Sequence, residues 1–373
     1  MKPIPFNSPY SSPSSIVNMK LAMESNHLSG DGDFTHLCSR RLEEIHSMKH
    51  ALLTTSCTHA LELVALLLKI QPGDEVILPS FTFVSTANAF VLRGARPVFA
   101  EIRDDTFNID ERLLEDLITP RTKAVVVVHY AGVACQMDAI MEICNRLGVP
   151  VIEDNAHGFG GSFQGSPLGS FGIASTLSFH ETKNIQCGEG GALLVNDPDL
   201  NEMAEIIREK GTNRSRFFRG QVDKYTWIEV GSSYLPSELI AAYLWGQLEE
   251  VDEIQKRRME IWNSYRSQTT NWAAKSNFSF QQVPNDCQHP AHLFALLAPD
   301  LNTRSAFISH MADNDVKVVF HYVPLHSSPM GSSFGQRDLP ITDSISERLI
   351  RLPLFPRMSQ SQLSRVIDAV ISF

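Results

Sequence analysis

The chain contains the run Ala124-Val-Val-Val-Val-His-Tyr130, followed by the amphipathic stretch Asp138–Leu147 and by Val149-Pro-Val-Ile-Glu153. The first run is apolar at successive positions, which is typical of a strand that helices cover on both faces. The same alternation of short β-branched runs and helical stretches extends from about Ala51 to Asp197. It predicts a mainly parallel sheet of the α/β class.

The predicted elements divide the chain into two regions. A long helix from Leu235 to about Ser267 leads from the first region to the second, so we expect a large domain over residues 1–245 and a small domain over 246–373. The strands predicted in the first region are Leu52–Thr55, Glu75–Pro79, Pro97–Ile102, Ala124–Tyr130, Val149–Glu153, Thr176–Phe179 and Gly191–Val195, with helices at Thr58–Ile70, Ser85–Arg93 and Asp138–Leu147. In the second region we predict strands at Phe278–Val283, His292–Ala298 and Val316–Val323, and helices at Thr303–Asp313 and Ser359–Ile371.

Composition excludes several classes of protein. The 373 residues are 20% charged and 43% hydrophobic, which is ordinary for a globular protein. A net charge of -10 argues against general nucleic-acid binding, which usually needs a basic face. No apolar stretch is long enough to cross a bilayer, and the start MKPIPFNSPYSSP lacks the apolar segment of a signal peptide. Six cysteines without CxxC spacing indicate reduced thiols, so we expect a cytoplasmic protein.

Two clusters carry the candidate chemistry. Lys183 ends the run Ser178-Phe-His-Glu-Thr-Lys183, just before the glycine-rich Gly188-Glu-Gly-Gly191, and Asp154 lies in Glu153-Asp-Asn-Ala-His157. A lysine in an apolar pocket has a lowered pKa, so that its neutral amine can attack a carbonyl. A carboxylate at the carboxyl edge of a sheet can hold a pyridinium nitrogen protonated. The pair predicts a pyridoxal phosphate (PLP) site, against the alternatives of a surface lysine and a solvated turn aspartate.

Four further features support a cofactor site, and each has a simpler structural alternative. The run Thr54–Thr58 opens a helix, whose amino terminus attracts a phosphate but also needs an ordinary cap. Ser178 is a second candidate phosphate ligand. His157 can bond a phenolic oxygen or remain a neutral core histidine, and Phe83 can stack on a ring or simply pack in the core.

The order of these motifs resembles a known family. Thr-Ser-Cys-Thr58, Pro79-Ser-Phe-Thr-Phe-Val-Ser-Thr-Ala-Asn, the Asp154 cluster and the run to Lys183 occur in the order seen in the DegT/DnrJ/EryC1/StrS nucleotide-sugar aminotransferases, and the resemblance extends from about Ile4 to the carboxyl terminus. The stretches 208–227, 231–235 and 320–326 are most similar to members that aminate a dTDP-4-keto-6-deoxyhexose.

The resemblance implies the fold type I architecture of aspartate aminotransferase, PLP as the cofactor, and a homodimer with shared active sites. It implies glutamate as the amino donor and a nucleotide sugar as the acceptor. It assigns Lys183 to the Schiff base with PLP and Asp154 to the pyridine nitrogen. It also assigns the phosphate to Cys57, Thr58 and Ser178, the ring stacking to Phe83, the phenolic oxygen to His157 and the neighbouring subunit's phosphate to Ser233. Arg219, in a cluster with Arg214, Arg216 and Lys224, is a candidate for binding the nucleotide pyrophosphate, because guanidinium groups suit phosphate. Tyr322 and His326 are candidates for sugar contacts.

Alternatives remain open at this stage. Ser233 occupies a position where many relatives have asparagine, and the arginines around Arg219 can also be read as a solvated charged loop. A sugar dehydratase of the same fold would carry histidine in place of Lys183. A non-catalytic PLP-binding protein would lose parts of the site, and a metal hydrolase would need a ligand motif such as HExxH, which is absent, so we expect no metal. Amination at C3 and formation of the gluco epimer, viosamine, also remain open.

Overall fold

The computed structural model describes residues 2–373. Its centre is a seven-stranded sheet in the order β1-β9-β8-β5-β4-β2-β3. All neighbouring pairs are parallel except those of β9, which runs antiparallel to β1 and β8. The strands are β1 (Ala51–Thr54), β2 (Glu75–Pro79), β3 (Arg96–Ala100), β4 (Thr122–Val128), β5 (Val151–Asp154), β8 (Ala174–Ser178) and β9 (Gly191–Val195).

Helices pack on both faces of this sheet, as the apolar strand β4 requires. The final five residues of β4 are buried, and Val126 and Val127 belong to different apolar clusters, one on each side of the sheet. The helices of this region are α3 (Cys57–Leu67), α4 (Val84–Val91), α5 (Leu114–Leu117), α6 (Met137–Leu147), α7 (Asn201–Arg208) and α8 (Arg214–Phe218). The predicted mainly parallel sheet is therefore confirmed.

Two amino-terminal helices, α1 (Pro13–Glu24) and α2 (Asp33–His46), were not predicted. Both pack against α9 (Glu238–Leu248). The predicted helix from Leu235 to about Ser267 is wrong as a single element, because the structure has α9 followed by a separate α10 (Val251–Lys275). Glu250, at the junction, accepts hydrogen bonds from the hydroxyls of Ser12 and Tyr10, so the amino-terminal segment is bonded to this break.

The carboxyl-terminal region has its own apolar core, in which Phe294, Ile350 and Phe307 are fully buried. Its antiparallel sheet has the order β10-β12-β13. The predicted strand Val316–Val323 is wrong as a strand, because this segment forms only isolated bridges from Val316 and Val319. The elements are β10 (Ser279–Phe280), β12 (Phe294–Leu297), β13 (Leu349–Leu352), α11 (Leu301–Asp313), α12 (Pro340–Arg348) and α13 (Gln360–Ile371).

A third sheet joins the two regions of the chain. It has the order β11-β6-β7, with β6 (Ser162–Phe163), β7 (Ser166–Pro167) and β11 (Cys287–Gln288). In addition, Ile4 is buried in the carboxyl-terminal core. The division into domains at residues 245 and 246 stays a prediction, and these two contacts cross it. Within residues 2–373, no helix has the length and apolar character needed to span a membrane, and no group of three or more metal-ligating side chains is found.

Candidate active site

The strand ends of the central sheet open onto a cavity of about 590 Å³. Val128, Asp154 and Ser178 are the last residues of β4, β5 and β8, and all three line it. Because β9 runs in the opposite direction, its first residue, Gly191, reaches the same edge. The topology of the sheet therefore brings together residues that are far apart in the sequence, at the edge where open α/β folds bind ligands.

Lys183 lines this cavity from the loop that follows β8. Burial lowers the pKa of Lys183 from 10.5 to about 8, and the nearby Cys57 thiol and Asp154 carboxylate only partly offset this effect. Its Nζ makes no hydrogen bond and no ion pair within residues 2–373. The side chain is therefore poised between the charged and neutral forms near neutral pH, as a nucleophilic or proton-transferring amine must be.

Asp154 is a buried carboxylate in the same cavity, with 5% of its surface exposed. The hydroxyl of Thr86 donates to its Oδ2 at 2.7 Å and the backbone N–H of Ala156 donates to its Oδ1 at 3.2 Å. Burial raises the pKa of Asp154, and these hydrogen bonds act against the increase. A cation placed against the carboxylate would stabilise its charged form.

The amino terminus of α3 forms a cup in the cavity wall. Ser56 caps the helix by accepting from the N–H of His59 at 3.0 Å, which leaves the N–H groups of Cys57 and Thr58 at the positive end of the helix dipole. Gly191 closes this cup: a Cβ there would lie 2.4 Å from the nitrogen of Cys57. A small anion such as a phosphate fits this donor set.

The side chains around the cup determine what each predicted ligand can contribute. The hydroxyl of Thr58 lies 2.8 Å from that of Ser85, and Ser178 lines the same cavity. The thiol of Cys57 is directed instead to the hydroxyl of Thr176, 3.4 Å away, and burial raises its pKa. Cys57 therefore offers its backbone N–H rather than its sulfur.

His157 is buried beside the cavity, and its surroundings fix its tautomer. The N–H of Ala131 donates to its Nδ1 at 3.3 Å, and burial holds the pKa of His157 well below 6.5. The neutral ring therefore carries its proton on Nε2, 3.5 Å from the hydroxyl of Tyr322. The ring of His292 stacks on it at 4.2 Å between centroids.

The other predicted residues divide between two cavities. Phe83, at the start of α4, lines the cavity with Lys183 and is 58% exposed, and Tyr322 lines it as well. Ser233 and Arg219 line a second cavity of about 820 Å³, where Arg219 pairs with Glu205 at 2.8 Å.

His326 lines neither of these cavities. Its Nδ1 lies 2.7 Å from the hydroxyl of Ser80, and its Nε2 lies 3.5 Å from the carboxylate of Asp343. The structure thus does not bring this histidine together with Lys183, and its role as a sugar contact stays a prediction.

Sequence reasoning gave no role to several residues of the Lys183 cavity, among them Thr86, His292, His321 and Arg351. Thr86 and His321 lie in stretches that the sequence analysis quotes for the resemblance, 79–88 and 320–326, but neither had been given a role. His292, just before β12, and Arg351, on β13, reach the site through the packing of the carboxyl-terminal region and carry no local signal for it. As a set, the residues present fit PLP, because they combine a reactive amine, a buried carboxylate and an anion cup.

Comparisons with known proteins show the family of the chain. The DegT/DnrJ/EryC1/StrS aminotransferase family matches residues 12–371. A Bacillus subtilis (strain 168) protein, the spore coat polysaccharide biosynthesis protein SpsC, is 34% identical over 385 aligned residues, which cover 98% of this chain and 96% of that protein.

Solved structures give the same result. The aminotransferase TlmJ from Streptoalloteichus hindustanus has a TM-score of 0.91 and 29% identity, covering 99% of this chain and 98% of that one. DesV of S. venezuelae, solved in complex with a ketimine intermediate, has a TM-score of 0.90 and 28% identity, covering 100% and 98%. The architecture is that of fold type I PLP-dependent enzymes. The chain belongs to the DegT/DnrJ/EryC1/StrS aminotransferase family and is a PLP-dependent aminotransferase.

Proposed function

We propose that the enzyme transfers an amino group from glutamate to C4 of a dTDP-4-keto-6-deoxyhexose and produces dTDP-4-amino-4,6-dideoxygalactose. The observation that carries the proposal is the convergence of Lys183, Asp154 and the α3 cup on one cavity. The sugar substrate is supported by relatives: the SpsC protein is named for polysaccharide biosynthesis, and Helicobacter pylori PseC is described as an aminotransferase of pseudoaminic acid biosynthesis. The choice of sugar depends on the resemblance of residues 208–227 and 320–326.

Each residue of the cavity has a proposed part in the reaction. Bound PLP supplies a carbonyl for the incoming amine and a ring that withdraws electrons from the reacting carbon. The Nζ of Lys183 removes the proton from the α-carbon of glutamate in the first half-reaction and delivers a proton to C4 of the sugar in the second. Burial lowers the pKa of Lys183 in the cofactor-free protein to about 8, and an effective proton-transfer group titrates close to the working pH.

The surrounding groups hold the cofactor in one orientation. The α3 cup with Thr58 and Ser178 would bind the phosphate, and Asp154 would face the pyridinium nitrogen and keep it charged. The Nε2–H of His157, which lies 3.5 Å from the hydroxyl of Tyr322, would donate to the phenolic oxygen, and Phe83 would cover one face of the ring. The backbone N–H of Cys57 completes the cup. These roles are proposed for this chain from the geometry of the cavity and the resemblance together.

We propose that the active form is a cytoplasmic homodimer in which Ser233 and Arg219 complete the site of the neighbouring subunit. In support, these residues line a cavity of their own, and the adjoining segment exposes Phe218 at 70% and Trp227 at 77%. Large exposed aromatic side chains close together are typical of a surface that another protein covers.

Mixing two inactive variants tests the dimer. Lys183→Ala and Arg219→Ala should each be inactive, and their mixture should recover up to about a quarter of wild-type activity, because random exchange creates one intact site in half of the dimers. Light scattering should give twice the mass of the 41.6 kDa chain. An active monomer would contradict the proposal.

Product analysis tests the reaction itself. The purified protein is incubated with PLP, glutamate and dTDP-4-keto-6-deoxyglucose, and the product is identified by proton NMR. A small H3–H4 coupling is expected, because the galacto product carries an axial amine. A large diaxial-type coupling would identify the gluco epimer, viosamine, and amination at C3 would exclude both. The control is Lys183→Ala, which should form no amino sugar.

A further inference from the structure

The cavity that contains Lys183 holds a second cation, Arg351. It lies on β13 of the carboxyl-terminal sheet. The carboxylates that line the cavity are Asp154, which is already bonded to Thr86, and Glu189, which is 69% exposed and lies 3.7 Å from His180. Within residues 2–373, Arg351 forms no ion pair.

Contacts on two sides hold the guanidinium of Arg351 in place. Its Cζ lies 4.7 Å from the centre of the Phe6 ring, and its Nη2 donates to the backbone carbonyl of Phe320 at 3.3 Å. Its Nε is buried and has no hydrogen-bond partner in the described part of the chain. A guanidinium has five N–H donors, so most of its donor capacity is free for a ligand in the cavity.

The electrostatic influence of Arg351 reaches the reacting groups. Burial is the main cause of the lowered pKa values of Lys183, His157, His292 and His321, and the positive charge of Arg351 is a further cause in all four. A ligand that neutralised Arg351 would therefore change the environment of the reactive amine. An anion bound to Arg351 would share the cavity with Lys183, since both residues line it.

We propose that Arg351 binds the α-carboxylate of the amino donor, an inference that rests on the proposed use of an amino acid such as glutamate. The α-carboxylate is bonded directly to the carbon whose proton Lys183 removes, so its cation must share the cavity with this lysine. The diphosphate of a nucleotide sugar is separated from the keto carbon by the hexose ring. A single fork-shaped guanidinium also matches the two oxygens of a carboxylate.

If Arg351 binds the donor, Phe6 acts indirectly, as the residue that positions the Arg351 guanidinium. It lies on an amino-terminal segment that is fixed on both sides of the cavity: Ile4 pairs with Val316, and Asn7 donates to the carbonyl of Glu181 at 3.0 Å. The segment holds the ring of Phe6 under the guanidinium, which restricts the rotamers of a long side chain before the donor arrives.

Arg304 offers a matched control. Its guanidinium also lies over a ring, 5.4 Å from the centre of Phe320, and its Nε is also buried without a partner in residues 2–373. It donates to the carbonyl of Ser346 at 3.4 Å but does not line the Lys183 cavity. Arg304→Met thus removes an equivalent arginine from the same region of the fold.

The test separates the two half-reactions. In the PLP form, Arg351→Met should reduce the apparent affinity for glutamate on the order of 10- to 100-fold, as expected for losing charge-assisted hydrogen bonds. Arg351→Lys, which keeps the charge but not the fork, should fall between this variant and wild type. The reaction of the aminated cofactor form with the keto sugar should fall by a much smaller factor, because it loses no carboxylate contact and only the effect of Arg351 on the pKa of Lys183. Arg304→Met should match wild type in both half-reactions.

A binding measurement makes the test independent of turnover. α-Methylglutamate has no α-proton, so its binding to the PLP-loaded protein can be followed by the change in cofactor absorbance without transamination. Arg351→Met should weaken this binding by the same factor as it weakens that of glutamate. Equal binding to wild type and Arg351→Met would overturn the proposal. A defect confined to the sugar half-reaction would also overturn it and assign Arg351 to the diphosphate.

The two proposals fail in different ways. If wild type binds α-methylglutamate through Arg351 but makes no amino sugar, the proposed acceptor is wrong and the carboxylate site stands. If wild type makes the amino sugar and Arg351→Met is unaffected, the proposed function stands and the carboxylate site is wrong.

Discussion

Replacing Lys183 by methionine should stabilise the cofactor-free protein at pH 7. The pKa of Lys183 falls from 10.5 to about 8 on folding because the ammonium group is buried. A tenfold change in the acid dissociation constant corresponds to about 1.4 kcal/mol, so the full difference is about 3 kcal/mol. Lys183 keeps part of its surface in contact with solvent, and we take about 2 kcal/mol as the working magnitude.

The sign of the effect follows from proton linkage. Between pH 8 and 10.5 the unfolded chain binds more protons at Lys183 than the folded chain, so the stability of wild type rises with pH in this window. Below pH 8 the cost of burying the charge is fully present, and above pH 10.5 it is lost. Methionine fills a similar volume without a charge, so the advantage of Lys183→Met should be largest at pH 7 and should disappear by about pH 10.5.

Urea unfolding of the cofactor-free proteins at pH 7, 8, 9 and 10.5 measures this difference. The control is Lys256→Met, which removes an exposed lysine from α10 and should show no such pH dependence relative to wild type. If Lys183→Met were less stable than wild type at pH 7, or if its advantage did not decrease with pH, the ammonium group would not be buried as the structure has it.

Three further predictions concern the cofactor site. Asp154→Asn should lower kcat by roughly 100- to 1000-fold, as expected when one positioned electrostatic partner is lost, with circular dichroism unchanged. Thr86→Val removes the 2.7 Å hydrogen bond to Asp154 and should cost about 1.5–3 kcal/mol of activation free energy in wild type but little in the Asp154→Asn background, as a double-mutant cycle would show. Gly191→Ala places a Cβ 2.4 Å from the nitrogen of Cys57, so the α3 cup must shift. The PLP affinity, measured by fluorescence titration, should fall on the order of tenfold or more, and the free energy of unfolding should fall by about 1–3 kcal/mol. Unchanged PLP affinity would mean that the α3 cup does not bind the phosphate.

The strands of the central sheet could be predicted because their signal is local. The buried run in β4 and the turn residues around it are sufficient to place a covered parallel strand, and all seven predicted strands overlap observed ones. The direction of β9 could not be predicted, because parallel and antiparallel pairing give the same apolar pattern in a short buried strand.

Helix α1 was not predicted because it buries small and polar side chains and exposes apolar ones. Its buried residues are Ser15, Asn18 and Ala22, whereas Ile16 is 69% exposed and Val17 is 58% exposed. Small polar side chains are buried there because they pack closely on α9, where a Cβ on Gly246 would lie 2.5 Å from the hydroxyl of Ser15. A search for apolar periodicity has nothing to detect in such a helix.

The candidate site was predictable only where its residues lie in contiguous motifs. Asp154 and Lys183 belong to such motifs, and the structure places both in one cavity. Arg351 lies on β13 and His292 just before β12, and only the folded arrangement of the chain shows that both line the cavity with Lys183. Their residue types alone are equally compatible with a surface arginine and a core histidine.

The most direct test of the central claim is to identify the residue that carries the cofactor. The PLP-loaded protein is reduced with borohydride, digested and mapped by mass spectrometry, with Lys183→Ala treated in parallel. The structure and the family predict a single modified peptide that contains Lys183, and no modified peptide in the variant. Modification of another lysine in the wild-type protein, with Lys183 unmodified, would contradict the account.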